Sequence, residues 1–425
     1  LSLLIILLFI SCNQLKKETS IFNFSLENLS KIDSYSSKLV ENNELPGIVV
    51  MVKRGDKLVY HKAFGYSDIE KKIEIDKNAI FRIASITKTI TALGILKLME
   101  DGKINLEDEL SKYIPEFNNL RVYTGIDSLS NFYMTKPSES KITIRDLLQH
   151  RSGLSYGPYT SNHYYSDMYI QFFKDSLVNL YTTKNVTLKS NVKKIAKIPL
   201  VNEPKKLFSY SWSYDVLGRV IEIVSQKSLN TFFNETFFIP LEMKNTFFYI
   251  PEEKSDFLIP VLTNQNGYWS NYKSIEYDIN YPIVGSKTYF SGGAGLSGTI
   301  SDYSNFLTMI VNKGRFKQSR ILKEKTILLI NEIPSENKIG DGYHESVKEF
   351  SHGIASGIRV IKKKNEDGVF KENPLLFWSG MFGCSYFIYP KDKTIGLMFK
   401  QVYNLKDIEN YDYTFQTIIL DSSVN

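Results

Sequence analysis

The chain has 425 residues, of which 43% are hydrophobic and 23% charged, close to the soluble average. This excludes a disordered chain, a collagen and a multi-span membrane protein, and the length points to about two to three domains. The net charge of +6 is thinly spread, with only short runs such as Lys362-Lys363-Lys364, which reads as a solvated surface and not a nucleic-acid site; two cysteines, Cys12 and Cys384, exclude a disulfide framework and a cysteine-based zinc site.

Residues 1–12 are a different material. Leu1 to Ile10 reads LSLLIILLFI, apolar except at Ser2, about half the length of a bilayer-spanning helix. This is the shape of a secretory h-region; the alternative is a short buried strand or helix. Ser11-Cys12 follows. A cysteine after a small residue resembles the lipobox of bacterial lipoproteins, although Phe9 and Ile10 depart from its usual pattern. That resemblance implies cleavage before Cys12, lipidation of Cys12 and a lipid-anchored protein at the cell envelope, facing the periplasm or the exterior. The chain opens on Leu with no basic residue before the run, which points to a truncated or alternative start.

Residues 13–34 read as a tether, with one helix before residue 45, and 35–425 as a single catalytic unit. Gly47–Lys53 and Lys57–Phe64 are β-rich runs around Arg54-Gly55-Asp56, a hairpin signal. Ser85 to Glu100 carries Ile86, Ile90, Leu93 and Leu96 at helical spacing and ends at Asp101-Gly102. Thr143–His150 is a short helix with Thr143 as N-cap candidate, and Val216–Val224 and Thr299–Asn312 are further helices. Ser291–Gly298 (SGGAGLSG) is a glycine-rich turn, not a phosphate loop. Three β-rich runs, 353–361, 375–389 and 394–402, close the chain. The pattern predicts a mixed α/β fold with one sheet built from both ends, about 35–100 and 285–425, and a helical lobe of about 101–284 inserted between them.

Ser85 and Lys88 are three residues apart, on one face of a helix. Free N–H groups at a helix start stabilise negative charge. A lysine beside a hydroxyl can accept its proton, which would make Ser85 a nucleophile. The spacing alone is weak, because Ser-x-x-Lys also occurs at Ser138, Ser190, Ser270 and Ser335. Those four lie in polar stretches with no apolar helix starting at the serine. Five histidines (61, 150, 163, 344 and 352) are scattered, and no Gly-x-Ser-x-Gly elbow occurs. A histidine triad and a metal site are both disfavoured, and no cofactor is implied. Cys384, in an apolar β-rich run, reads as a buried small residue.

Four segments carry a stronger signal together. They are Phe81-Arg82-Ile83-Ala84-Ser85-Ile86-Thr87-Lys88; Lys103–Asp108 with Tyr113-Ile114-Pro115; Thr143–Leu154 (TIRDLLQHRSGL); and Ser291–Leu296 followed by Ser301-Asp302-Tyr303. In this order they resemble the serine β-lactamase and penicillin-binding-protein superfamily over roughly residues 35–403. The resemblance implies a β-lactamase/transpeptidase-like fold with an antiparallel sheet, and Ser85 and Lys88 as catalytic residues. The family's tyrosine motif, Tyr-x-Asn, matches Tyr210-Ser211-Trp212, so Tyr210 takes the proton-relay role. Trp212 replaces the Asn, and the Ser213 hydroxyl is the nearest substitute. The family's Lys-Thr-Gly or His-x-Gly element matches Trp378-Ser379-Gly380, followed by Met381. By carry-over the Ser85 and Met381 amides hold the oxyanion. Trp378 stands where a cation often meets a substrate carboxylate, which favours an apolar or ester substrate and the esterase-like branch related to class C β-lactamases. The resemblance therefore implies a serine hydrolase of small esters or amides. A β-lactamase or D-alanyl-D-alanine carboxypeptidase, acting on a peptidoglycan-derived substrate, and a catalytically weak envelope-binding protein remain as alternatives. Whether Lys88 or Tyr210 is the base stays open, since the two would titrate as a pair.

Overall fold

A computed structural model of the chain describes residues 20–157, 163–173, 177, 180–274, 277–332, 351–364, 370–405 and 408–422. Residues 1–19, where a leader and the lipidated Cys12 are expected, lie outside the described residues. Eight strands form the main sheet: β1 (Gly47–Arg54), β2 (Lys57–Asp68), β3 (Ile73–Glu74), β4 (Ser351–His352), β5 (Gly357–Lys364), β6 (Phe370–Ser379), β7 (Ser385–Tyr389) and β8 (Thr394–Phe399). Their order is β4-β5-β6-β7-β8-β1-β2-β3, antiparallel throughout. The ends of the chain meet at the β8–β1 pair, where Leu397 lies opposite Met51.

The β1–β2 hairpin forms as the sequence predicts. Arg54 pairs with Lys57 across a Gly55-Asp56 turn, and Gly55 has φ +55°, the left-handed conformation that two-residue hairpin turns require. β1 is a continuous apolar run because both its faces are covered. Of the helices among the described residues, those that bear on the site and the sheet are α1 (Leu26–Glu41), α2 (Thr87–Glu100), α3 (Ile144–Leu148), α4 (Ser213–Ser225), α5 (Ile300–Val311) and α6 (Ile408–Ser422). Ile48, Val50 and Val52 face Leu29, Ile32 and Leu39 of α1 and Phe415 and Ile419 of α6. Val49 and Met51, on the other face, join the core shared with α2 and α5. The period of two along a strand produces this split.

Two expectations change. Leu26 to Ser34 were placed in the tether, yet they are the first half of α1, with Ser25 as its N-cap and Leu29 and Ile32 buried. The inserted lobe is not purely helical either. It also holds the ribbons Arg121–Ile126 with Tyr133–Pro137 and Leu262–Gln265 with Tyr268–Asn271. One apolar core runs from Val49 and Leu397 of the sheet to Leu147, Leu188 and Val220 of the lobe.

Candidate active site

α2 is buried around almost its whole circumference, including Thr87, Thr89, Thr91 and Gly94, as expected for a helix enclosed by other elements. Gly94 lets α2 come close to α4, since a methyl there would lie 3.0 Å from Ile221; one at Gly218 of α4 would lie 3.0 Å from Leu229 of the next helix. The chain enters α2 through a single 3-10 turn, Ala84–Ile86, where Ala84 is held at φ +47°. Ser85 therefore sits in this turn and not at an N-cap, and α2 begins without a side-chain cap. Backbone strain of this kind is characteristic of functional sites.

Ser85 is half-buried, while Lys88 is only 2% exposed. The Lys88 ammonium donates to Ser85 Oγ at 3.3 Å and to the Gly293 carbonyl at 2.7 Å. It also lies over the Tyr210 ring, 4.6 Å from its centroid, with Tyr156 at 5.6 Å and Tyr214 at 6.0 Å. Aromatic faces and carbonyl oxygens both stabilise a cation. The glycine-rich segment 291–296 explains the carbonyl's position. A side chain at Gly292 would meet the Tyr214 carbonyl at 2.5 Å, so glycine lets this segment pass between α2 and α4. The Thr91 hydroxyl donates to the Gly292 carbonyl, and the Leu296 amide to Thr87 Oγ1.

Tyr210 precedes α4 and is held by α3 and the loop after it. Thr143 caps α3 as its sequence predicts, and the structure adds a reciprocal box with Asp146. The Ser209 amide donates to the His150 carbonyl and the Tyr214 hydroxyl to the Leu148 carbonyl. A buried chain of polar groups runs from His150 Nδ1 to Ser211 Oγ, Ser213 Oγ and Ser152 Oγ, with spacings of 3.3, 2.8 and 2.9 Å. Ser213 is thus engaged inside the lobe and does not replace the missing Asn in a cleft. Trp212 also points into the core, with its ring edge-on to Tyr156 at 5.0 Å.

The 378–381 segment divides into two halves. Trp378 is buried, 5.8 Å from Tyr210 and 5.0 Å from His352 between ring centroids; it packs beside the tyrosine and does not line an open cleft. Gly380 is buried as well, and a methyl there would fall 2.4 Å from the Ile83 carbonyl. Only glycine allows the end of β6 to reach the turn that carries Ser85. Ser379 is exposed, and Met381 is 40% exposed on the turn into β7.

The environment sets the charges. Burial, with the Lys88 charge nearby, holds His150 and His352 well below the usual histidine range, His352 at about 3. Both imidazoles are therefore neutral, His150 against Tyr210 and His352 against Trp378. Burial pushes the Asp215 carboxyl up to about 6, and raises the Tyr156 phenol through burial and the neighbouring Tyr210 and Asp215. Burial likewise makes the Cys384 thiol a poor acid. Tyr156, His150, His352 and Asp215 are the neighbours that sequence reasoning missed. His150 and Asp215 lie within the matched motif stretches, but nothing in the sequence marks Tyr156 or brings His352 to them.

An antiparallel sheet flanked by helices, with a Ser-x-x-Lys turn against the end of one strand, defines a β-lactamase/transpeptidase-like fold. The model of the beta-lactamase family matches residues 32–416, and the chain belongs to this family, whose members are serine hydrolases. Its relatives include Protein Rv1367c of Mycobacterium tuberculosis, 27% identical over 292 residues, which are 67% of each chain. Protein flp of Staphylococcus aureus is 28% identical over 268 residues, 62% of this chain and 44% of that protein, so the chain spans less than half of flp. Solved structures with the same fold include EstCE1, a hydrolase with promiscuous acyltransferase activity, at a TM-score of 0.73 and 22% identity, covering 92% of this chain and 98% of that one. Simvastatin synthase (LovD) from Aspergillus terreus matches at 0.75 and 19%, covering 92% and 98%. A class C β-lactamase from Rhodobacter sphaeroides matches at 0.63 and 14%, covering 91% and 99%.

Proposed function

We propose that this chain hydrolyses small esters or amides through a covalent acyl-enzyme on Ser85. The observation that carries the reading is the buried Lys88 ammonium, 3.3 Å from a half-buried serine hydroxyl and over the Tyr210 ring. In acylation the Lys88–Tyr210 pair, after losing one proton, takes the Ser85 proton as Ser85 Oγ bonds to the substrate carbonyl carbon. The tetrahedral oxyanion forms against the Ser85 and Met381 amides, and its collapse breaks the bond to the leaving group, which takes the proton back. Water then repeats the sequence and releases the acid. The absence of a cation at Trp378 and of an amide at Trp212 supports the ester reading over β-lactam hydrolysis or D-alanyl-D-alanine trimming. The test is intact-protein mass after a fluorophosphonate, together with turnover of a short-chain nitrophenyl ester and a chromogenic cephalosporin. We expect one adduct on the wild type, none on Ser85→Ala, and faster ester turnover. An equal adduct on Ser85→Ala sinks the hydrolase reading, no adduct on the wild type favours a binding protein, and faster cephalosporin turnover favours a β-lactamase.

The Ser11-Cys12 pair supports a second proposal, that the protein is tethered to the cell envelope by lipid on Cys12. Cys12→Ser should release it from the membrane fraction; a variant that still pellets with membranes overturns the anchor.

A further inference from the structure

Asp215 is a carboxylate that the acylation scheme leaves without a task. It sits in the first turn of α4 and is fully buried, and neither carboxylate oxygen makes a hydrogen bond of good geometry among the described residues. The Ser291 hydroxyl and the Gly292 and Gly293 amides are near enough to offset part of the cost of burial, as does the start of a helix. One backbone residue links it to the lysine. The Gly293 carbonyl accepts from Lys88 Nζ at 2.7 Å, and a methyl on the same Gly293 would lie 3.2 Å from both Asp215 Oδ2 and Tyr156 Oη. The other titratable groups around the carboxylate are the buried phenols of Tyr156, Tyr181, Tyr281 and Tyr289, all held neutral.

A buried ammonium and a buried carboxylate are each costly alone and tolerable together. We propose that Asp215 is a positioning residue, the buried counter-charge that seats the Lys88 side chain on the Gly293 carbonyl and the Tyr210 ring. The proposal rests on the acyl-enzyme reading above. Because burial lifts the carboxyl to about 6, its charge acts on Lys88 above that pH and is lost below it. A carboxylate near a cationic unit makes the unit's proton harder to remove.

The test has two arms, both on the full chain. In the first, the rate of fluorophosphonate labelling of Ser85 is followed against pH in wild type and Asp215→Asn, with the fold checked by circular dichroism. The half-maximal pH should fall by about one unit in the variant; a profile that superimposes on wild type, with the fold intact, overturns the proposal. A purely structural role for Asp215 would lower the rate without moving the midpoint. The second arm needs neither activity nor a folded Asp215 variant. Infrared difference spectroscopy follows carboxyl titration in wild type and Lys88→Met, and the midpoint near 6 should rise by about one unit when the ammonium is removed. An unchanged midpoint overturns the pairing. An equal adduct on Ser85→Ala sinks the hydrolase reading alone, and the second arm then still decides whether Asp215 and Lys88 are coupled.

Discussion

At Lys88 the fold buries an ammonium and surrounds it with a carbonyl, three tyrosine faces and a serine hydroxyl. The serine and the lysine are local in sequence, so their pairing is readable there. The carbonyl that completes the site is 205 residues away, and no spacing rule reaches it. Gly380 is a sharper case. Its motif is legible, but the reason for glycine is not, because the contact that forbids a side chain is the Ile83 carbonyl 2.4 Å from where Cβ would be. Gly380→Ala has to push the end of β6 away from the turn that carries Ser85. Misplacement of about 1 Å costs on the order of 100-fold in rate, so ester turnover should fall by about that factor with far-UV circular dichroism unchanged. Turnover within about threefold of wild type would show that the close approach is not needed.

At the scale of elements, short-range signals held where they were strong. The Gly55 turn, the Thr143 cap and the Asp101-Gly102 stop lie where the sequence puts them. Misreadings came where tertiary contacts decide. Polarity placed 26–34 in a tether, although Leu29 and Ile32 suffice to seat α1 on the sheet. The helical spacing of Ile86, Ile90, Leu93 and Leu96 places α2 but does not show that it is enclosed almost all round. Its threonines are buried too because their hydroxyls find partners, Thr89 at Tyr386 and Thr91 at Gly292. The β8–β1 seam joins segments some 340 residues apart, so its packing bears on the whole sheet. Leu397 is fully buried opposite Met51, and Leu397→Ala should cost about 2–5 kcal/mol in urea unfolding. The exposed Leu58→Ala should stay within about 0.5 kcal/mol. Equal losses would mean that this seam does not limit stability.

Across the whole molecule, the sequence by itself determined the family, the Ser85–Lys88 pairing and a sheet drawn from both ends of the chain. Each of these depends on local spacing, on turn chemistry or on motif order. The tertiary structure alone decided how four distant segments converge: 83–88 entering α2, 209–215 entering α4, the 291–296 loop between those helices, and the β6 end at 378–381. It turned Trp212 and Trp378 into buried packing partners, engaged Ser213 within the lobe, and brought Asp215, Tyr156 and His352 to the site. The physical reason is desolvation. Whether a tryptophan meets substrate or core, and whether a carboxylate is an ordinary acid or one lifted to about 6, depends on what excludes water from it, and those neighbours come from other parts of the chain.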